Sequence, residues 1–369
     1  MKNDSVNPQD ICIGIDLGDR HSQFAVLERA TGELLEEGKI PTTARAFERR
    51  FGSLTPVRIA LEVGGHSPWV SELLERAGHQ VIVANAYKLS LISRNDKKSD
   101  RSDARYLAEL AAANPRLLHP IKHRRAQARA DRCILTARDR LVGCRTKLIN
   151  SMRGMVKTTG ARLPATSPTC FHNKVREHIP AELIESVGPL LETIAHLNQQ
   201  IQRYDKLIEQ KIEADHPAAK QLMQVDCVGP ITSLNFVLTL DDPCRFRDSR
   251  VVGSYIGLRP KERSSGKGDP ELRISKAGDS MLRSHLVQSA QRMLGPFGKD
   301  SDLRRFGLKL ACRGGKSAKK RAVVAVARKL AVLLHRLWLT GSTYEPLRNS
   351  LRNEGAATAS QAKQQPAAL

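Results

Sequence analysis

Two acidic residues of this strongly basic chain lie where apolar strands are expected. Asp16 falls inside the apolar segment 11–18, and Glu62 falls near the end of a second apolar segment, 57–63, just before two glycines. Such segments are typical of buried strands, in which a carboxylate is costly unless it is paired or binds a metal. Both residues are therefore candidates for chemistry rather than for surface solubility.

A second acidic pair, Asp100 and Asp103, is spaced three residues apart, so that on a helix both side chains share one face. Mg²⁺ prefers carboxylate and water oxygens as ligands. Two such ions about 3.5 to 4 Å apart can stabilise both the attacking and the leaving oxygen when a phosphodiester is cleaved. We therefore predict that Asp16, Glu62, Asp100 and Asp103 form a Mg²⁺-binding catalytic tetrad. The alternative is structural: Asp100 and Asp103 stabilise a helix start, and Asp16 accepts backbone amides.

A serine pair in the turn-rich segment 263–270 is the other candidate for chemistry. Ser264 and Ser265 precede a glycine and lie between Arg263 and Lys267. A serine in this setting could attack a phosphodiester while the two cations stabilise the developing phosphoryl charge. The alternative is ordinary loop chemistry, in which the hydroxyls bond to solvent or to the local backbone.

The amino-acid composition indicates which kind of partner the protein binds. The 369-residue chain has a formal net charge of +22 and a pI near 10.0, which favours a polyanion, and nucleic acid over a membrane surface. With aromatics at only 4%, phosphate contact along a duplex or folded RNA is favoured over extensive base stacking. No apolar stretch approaches the roughly 18 residues of a membrane span, and the N-terminus lacks a signal-peptide pattern, so we expect a cytoplasmic protein. Seven scattered cysteines predict no structural zinc.

The elements that must position the acids follow an α/β pattern over residues 11–118. We predict strands at 11–17, 23–29, 33–40, 57–63 and 80–84, and helices at 44–51, at 68–77, and from a cap at Ser99 or Ser102 to Pro115. This order is typical of a ribonuclease-H-like domain. There the first strand is central and the fourth lies beside it, which makes Asp16 and Glu62 neighbours.

Beyond residue 118 the pattern is mostly helical. From the cationic runs and amphipathic spacing of residues 119–217 we predict a basic helical and coiled-coil linker. Its first helix is interrupted at 150–154, and its second runs from 180 to 214. Residues 218–345 predict a mostly helical C-terminal domain with the serine loop, and 346–369 a disordered tail. Runs of cations in the linker and C-terminal domain predict phosphate contacts, and our candidates are Arg124, Arg125, Arg129, Arg263, Lys267, Lys276, Arg283, Lys319, Lys320 and Arg321.

Taken together, these segments resemble a known family. The matching segments are Gly-Ile-Asp-Leu-Gly at 14–18, Leu-Glu at 61–62, Lys-Ser-Asp-Arg-Ser-Asp-Ala at 98–104, Gly-Leu-Arg-Pro at 257–260, Ser-Ser-Gly-Lys at 264–267, Ile-Ser-Lys-Ala-Gly-Asp at 274–279 and Leu-Arg at 282–283. In this order they resemble the DEDD transposases of the insertion-sequence one-hundred-and-ten family, whose kin include the Piv and MooV DNA invertases. The resemblance covers residues 11 to about 340.

The resemblance implies a RuvC-like N-terminal domain, a coiled-coil linker and a C-terminal transposase domain. Members are similar in recombining double-stranded DNA element ends with a target through a Holliday-junction-like intermediate, and some use a bridge RNA encoded by the element. It also implies that Asp16, Glu62, Asp100 and Asp103 bind the metal and that Ser265 is the nucleophile, with Ser264 as the substitute. A composite active site of this kind implies dimers or tetramers.

One segment departs from the family pattern. Where many members carry a Gly-Ile-Gly-Pro-like hairpin, this chain has Cys-Val-Gly-Pro at 227–230, so the first glycine is missing. Two other functions stay open beside a transposase. One is a metal-dependent junction nuclease that uses water, which makes Ser265 incidental, and the other is a non-catalytic nucleic-acid-binding protein whose carboxylates are structural.

Overall fold

The computed structural model describes residues 10–89, 100–261, 272–315 and 317–349, which group into two compact units at 1–123 and 124–369. The first unit is an α/β domain. Its elements are β1 (Ile11–Asp16), β2 (His21–Glu28), β3 (Leu34–Pro41), α1 (Ala44–Phe51), β4 (Arg58–Glu62), α2 (Ser67–Arg76), β5 (Gln80–Ala84), α3 (Ala86–Leu89) and α4 (Asp100–Ala113).

The five strands form one mixed sheet in the order β3-β2-β1-β4-β5. β1 pairs antiparallel with β2 and parallel with β4, which confirms the prediction of a central first strand with the fourth beside it. The predicted elements agree with the structure to within about two residues at most ends. Ser102 lies inside α4 rather than before it, so its predicted capping role is wrong; Ser99 is outside the described residues.

The sheet has two differently packed faces because successive side chains alternate. On one face Ile13, Ile15, Ile59 and Leu61 pack with the aromatic and aliphatic residues of α1 and α2. On the other, β4 and β5 contribute Ala60 and Ile82 to a second cluster with α4. Residues 14 and 16 of β1, and 60 and 62 of β4, therefore belong to the face that α4 covers.

The second unit is mainly helical. Its helices are α5 (Ala126–Lys157), α6 (Phe171–Lys174), α7 (Ile184–Asp215), α8 (Pro217–Leu222), α9 (Pro230–Leu240), α10 (Ser249–Tyr255), α11 (Ser280–Leu294), α12 (Asp302–Ala311) and α13 (Ala318–Thr340). Every residue of α9 from Ser233 onward is buried, and α9 shares a large apolar core with α8, α10, α11 and α13. The predicted linker and C-terminal domain thus fall in one compact unit.

Helices α5 and α7 pack against each other over most of their length. The predicted interruption at 150–154 is wrong, since α5 runs unbroken through 32 residues. The reason is that Met152 and Val156 continue its buried stripe and pack with Val187 and Leu191 of α7. Apolar burial on one side of the helix outweighs the weak helix preference of Asn150 and Gly154, whose surroundings are open.

Polar contacts fix the register of this pair at seven-residue intervals on α5. Lys211 pairs with Asp131 at 3.2 Å, Asp205 accepts from Arg138 at 2.5 Å, and Asn198 accepts from Arg145 at 2.7 Å. The partners descend along α7 as residue numbers rise along α5, so the helices are antiparallel. Burial raises the pKa of Asp131, but hydrogen bonds from His216, Gln127 and Lys211 outweigh it and hold the pKa below the ordinary value.

The described chain ends on the second unit. Pro346 accepts a hydrogen bond from the amide of Asp302, and the amide of Asn349 donates to the Asp302 carboxylate. The first residues of the predicted tail are therefore bound at the start of α12, and residues 350–369 lie outside the described residues. Within the described ranges, no helix is both long and apolar enough to cross a bilayer.

The close packing of α4 on the sheet generates a prediction at Gly14. A Cβ added to Gly14 would overlap the backbone oxygen of Ala104, so Gly14→Ala forces α4 away from β1. We expect a loss of about 3 kcal/mol in the free energy of unfolding, the upper end of the usual overpacking cost, measured by urea titration. Gly65→Ala, whose added Cβ meets no atom within 4 Å, is the control. An equal effect of both substitutions would contradict the proposed close contact.

Candidate active site

Asp16 and Glu62 end two adjacent parallel strands. Ile15 of β1 is in register with Leu61 of β4. Asp16 and Glu62 are the next residues of these strands, so they lie side by side where the two strands end. Side-chain alternation places both on the face covered by α4, because Gly14 and Ala60 two residues earlier face that helix. Sheet pairing alone thus makes these two acids neighbours.

Helix α4 brings the other two acids to the same edge. The backbone of Ala104 lies directly over Gly14, and Arg58 at the start of β4 donates to the Ala111 carbonyl at 3.0 Å. The helix therefore runs antiparallel to β1 and β4, with its first turn at their carboxyl ends. Asp100 and Asp103 lie in this first turn, four residues before the buried Ala104 and Leu107 respectively, in the same helical rows.

The environment of the four acids is partly open to solvent. Asp16, Glu62 and Asp103 are half-buried and Asp100 is exposed. Arg105, two residues after Asp103, is turned to an ion pair with Glu37 of β3 at 2.7 Å. Across the described part of the chain, no three Asp, Glu, His or Cys side chains form a ready-made metal site. The fold therefore gathers suitable oxygen donors on one face and edge without clustering them as a chelate.

The predicted serine loop belongs to the second unit. Arg263, Ser264, Ser265 and Lys267 lie outside the described residues, but the two chain segments that flank them are placed. Pro260 forms an antiparallel bridge with Ile274, and the Lys261 amide donates to the Arg273 carbonyl at 3.0 Å. These contacts join the two ends of the loop in a short stem, which we call the loop stem (257–261 and 273–278).

Two glycines and one arginine hold the loop stem on the helices. Gly257 and Gly278 have φ values of 79° and 74°, and a Cβ on either would overlap a carbonyl oxygen, of Ala277 and Tyr255 respectively. Arg283 donates from one Nη1 to the carbonyls of Ile256 at 2.9 Å and Ala277 at 3.1 Å. Both flanks are thus tied to each other and to α11.

A buried polar network supports the stem from α5 and α9. Arg132 forms an ion pair with Asp279 and donates to Thr239 Oγ1 at 2.7 Å, while Asp279 also accepts from the Leu282 amide and caps α11. Asn235 is 3.0 Å from His285 Nδ1, and burial lowers the pKa of His285 below its ordinary value. Asp279 lies in the recognisable sequence motif 274–279, whereas nothing in the sequence distinguishes Arg132 from the other cations of its basic helix.

The structure separates the predicted nucleic-acid-binding cations into two groups. Arg124 donates to the Thr239 carbonyl, Arg125 to Asp241, Arg129 to the Arg124 carbonyl, and Arg283 to the Ala277 carbonyl of the loop stem. Hydrogen bonds to the protein thus engage these four guanidiniums. Of these four, Arg125 is nevertheless 77% exposed. The other exposed candidates among the described residues are Lys276, which has a φ of 56°, and Lys319, Lys320 and Arg321 in the first turn of α13.

The first turn of α13 combines three cations with the positive end of a helix dipole. Cations are unfavourable at a helix N-terminus unless an anion lies nearby. Ser317 precedes the helix without a capping hydrogen bond from its side chain. This surface is therefore chemically suited to a phosphate backbone.

The segment that departs from the family hairpin keeps an unusual backbone. Cys227 has a φ of 64°, a left-handed conformation that favours glycine. Val228 and Gly229 follow, and Pro230 begins α9. A cysteine thus occupies, at the place of the missing glycine, a backbone conformation that glycine adopts more readily.

Comparison with known proteins gives two family matches in one chain. The family pattern DEDD_Tnp_IS110, described as a transposase, matches residues 13–160, and that of the transposase IS116/IS110/IS902 family matches residues 219–303. The first match contains the acidic residues, and the second contains the serine loop.

Three relatives, each matched over more than three quarters of its length, agree with these family matches. A putative transposase of Sinorhizobium fredii is 30% identical, over 81% of this chain and 77% of its own length. A probable family 20 transposase of Pseudomonas aeruginosa is 26% identical, over 90% and 98%. The transposase for insertion sequence element IS1111A of Coxiella burnetii is 26% identical, over 84% and 86%.

The buried ion pair beneath the loop stem can be tested by stability. Asp279→Ala leaves Arg132 charged and unpaired at a site where both side chains are less than a fifth exposed. We expect the free energy of unfolding to fall by about 3 kcal/mol, measured by urea titration. Asp300→Ala, which removes an exposed bidentate pair with Arg305, is the control and should leave the midpoint unchanged. A neutral Asp279→Ala would show that the network does not support the stem.

Proposed function

The chain belongs to the IS116/IS110/IS902 family of transposases, and from this membership we propose that it cleaves and rejoins DNA strands at the ends of an insertion sequence and at a target. The observation that carries the proposal is the placement of Asp16, Glu62, Asp100 and Asp103 at one edge and on one face of the first unit's sheet. The strand order β3-β2-β1-β4-β5 supports assigning a RuvC-like, ribonuclease-H-like fold to this unit.

We assign the four carboxylates to divalent metal binding, with Mg²⁺ as the ion. Their oxygens suit a hard cation, and Asp and Glu side chains can change rotamer to converge when an ion binds. Bound Mg²⁺ would supply stabilisation of negative charge at the scissile phosphate. Gly64 and Gly65 leave open space beside Glu62, which suits a close approach of the DNA backbone.

For the chemical step we assign Ser265 as the nucleophile, with Ser264 as the alternative. The serine Oγ forms a bond to phosphorus, the bond from phosphorus to a deoxyribose oxygen breaks, and the serine proton passes to the departing oxygen. Attack by a hydroxyl of another strand on the phosphoserine reverses this exchange and joins the strands. The number of phosphodiester bonds is conserved, so no external energy source is required.

The partners follow from the charge and from the family. We propose double-stranded DNA as the substrate and assign the exposed Lys276, Lys319, Lys320 and Arg321 to phosphate contacts. With the acids in one unit and the serine in the other, sites composed from two copies suit a dimer or a tetramer. A structured bridge RNA from the DNA beside the coding region is the partner that would select the target sequence.

Strand exchange tests the acidic tetrad and the serine together. In a plasmid assay carrying the coding region with its flanking DNA, Asp16→Ala, Glu62→Ala and Ser265→Ala should each lower recombination more than about 100-fold. Loss of supporting residues around a metal already costs about 10- to 100-fold, and loss of a ligand or nucleophile costs more. Glu75→Ala, at an exposed position of α2, is the control. Full activity of all three variants would refute the assignment.

A covalent intermediate distinguishes strand transfer from hydrolysis. After denaturation, the wild-type protein should remain linked to DNA in a Mg²⁺-dependent manner, and Ser265→Ala should not. Cleavage without a protein-DNA link would favour the junction nuclease that uses water. Absence of cleavage on every element-end or junction substrate, with metal-independent stability, would favour a non-catalytic nucleic-acid-binding protein.

A further inference from the structure

Phe297 is the most unusual apolar side chain of the second unit. It lies in the turn between α11 and α12 and is 96% exposed, whereas the next most exposed large apolar side chain in the described residues, Ile184, is 55% exposed. Phenylalanine is strongly stabilised by burial, so full exposure on a folded surface is unfavourable without a partner. Single exposed apolar residues are common on protein surfaces, so the residues around Phe297 must show whether it binds a partner.

The turn that carries Phe297 is fixed rather than loose. Arg304 of α12 donates from one Nη1 to the carbonyls of Met293 and, at 2.6 Å, of Gly295. Gly298 lies so close that an added Cβ would overlap the Met293 carbonyl oxygen, and its amide donates to Gly295 at 3.3 Å. The residues on both sides of Phe297 are thus clamped, and the ring is held in solvent.

Exposed cations lie beside this turn. Lys299, two residues after Phe297, contacts Asp226 at 3.1 Å, so the turn is next to the 226–229 hairpin. Arg292 is exposed in the last turn of α11, and its carbonyl accepts from the Gly295 amide of the same turn. Two acids of this surface are paired one-to-one with cations, Asp226 with Lys299 at 3.1 Å and Asp300 with Arg305 at 2.7 Å, and the exposed Arg292 adds a positive charge beside these pairs.

The start of α9 adds hydrogen-bond donors to the same surface. Gly229 precedes this helix and supplies no side-chain cap to its first amides, which suits a phosphate oxygen. Cations and backbone amides that can bind phosphate therefore lie near one rigidly held aromatic ring.

We propose that Phe297 stacks on a nucleobase of DNA while the exposed cations Arg292 and Lys299 hold the adjoining phosphates. This inference rests on the proposed function, since it assumes that DNA is the partner. The base is one that is already unpaired, as at a strand crossover, because a ring that enters intact duplex must first unstack two base pairs. A single ring gives one stacking contact, which is consistent with a chain poor in aromatic residues.

The test uses two fluorescent DNA probes with the full-length protein. One is a duplex with a three-nucleotide bulge that contains 2-aminopurine, and the other is the same duplex without the bulge. We expect wild type to change the 2-aminopurine fluorescence on binding. Phe297→Ala should abolish this change and weaken binding to the bulged probe by about tenfold, the usual effect of removing one base-stacking ring. Affinity for the intact duplex should change less than twofold.

Matched variants make the result specific to the ring. Phe297→Trp should restore the fluorescence change, and Ile184→Ala, at the next most exposed apolar position, should behave as wild type. Unchanged binding and fluorescence for Phe297→Ala would overturn the inference while leaving the proposed function intact. Failure of wild type to bind either probe would instead count against both. A smaller oligomer for Phe297→Ala in sedimentation, with base fluorescence unaffected, would overturn stacking in favour of contact with a second copy.

Discussion

The contact between the α4 backbone and Gly14 is the constraint on which the acidic site depends. A strand residue with any side chain would lift the helix, and Asp100 and Asp103 would move away from the sheet with it. Pairing of β1 with β4 brings only two of the four carboxylates together, and the helix must lie close to bring the others. Backbone contact at one glycine thus unites acids that are separated by more than eighty residues of chain.

The first unit was largely predictable because its signals are local and repetitive. Alternating apolar segments gave the strands, and the known topology for that order gave the neighbours of β1. The position of α4 over Gly14 was not predictable, since a glycine in a strand indicates close approach without saying of what. In the second unit the sequence misled at 150–154, where two weak helix formers suggested a break. Burial of Met152 and Val156 against α7 is a tertiary effect, and no local pattern reveals it.

Cationic side chains of this protein either bind oxygens of the protein itself or face solvent, and the sequence does not show which of them do which. Arg132, Arg283 and Arg304 turn inward to bind carboxylate or carbonyl oxygens, and they brace the loop stem and the turn before α12. Lys319, Lys320 and Arg321 face solvent at a helix start. A guanidinium can satisfy several backbone oxygens at once, which suits arginine to holding irregular segments. The candidate serine loop is therefore supported by the same residue type that would contact DNA elsewhere.

The polar pairs between α5 and α7 fix the position of one helix along the other, so the pair has a defined length. Each has 32 residues, which is about 48 Å of helix, or the length of about 14 base pairs of DNA. A slip of one heptad would leave Asp131, Arg138 and Arg145 with the wrong partners, so the length cannot drift by sliding. A change of length that preserves these polar pairs must alter both helices together, by about 10.5 Å for every seven residues. The distance between the apolar clusters at the two ends of the pair is therefore set jointly by α5 and α7.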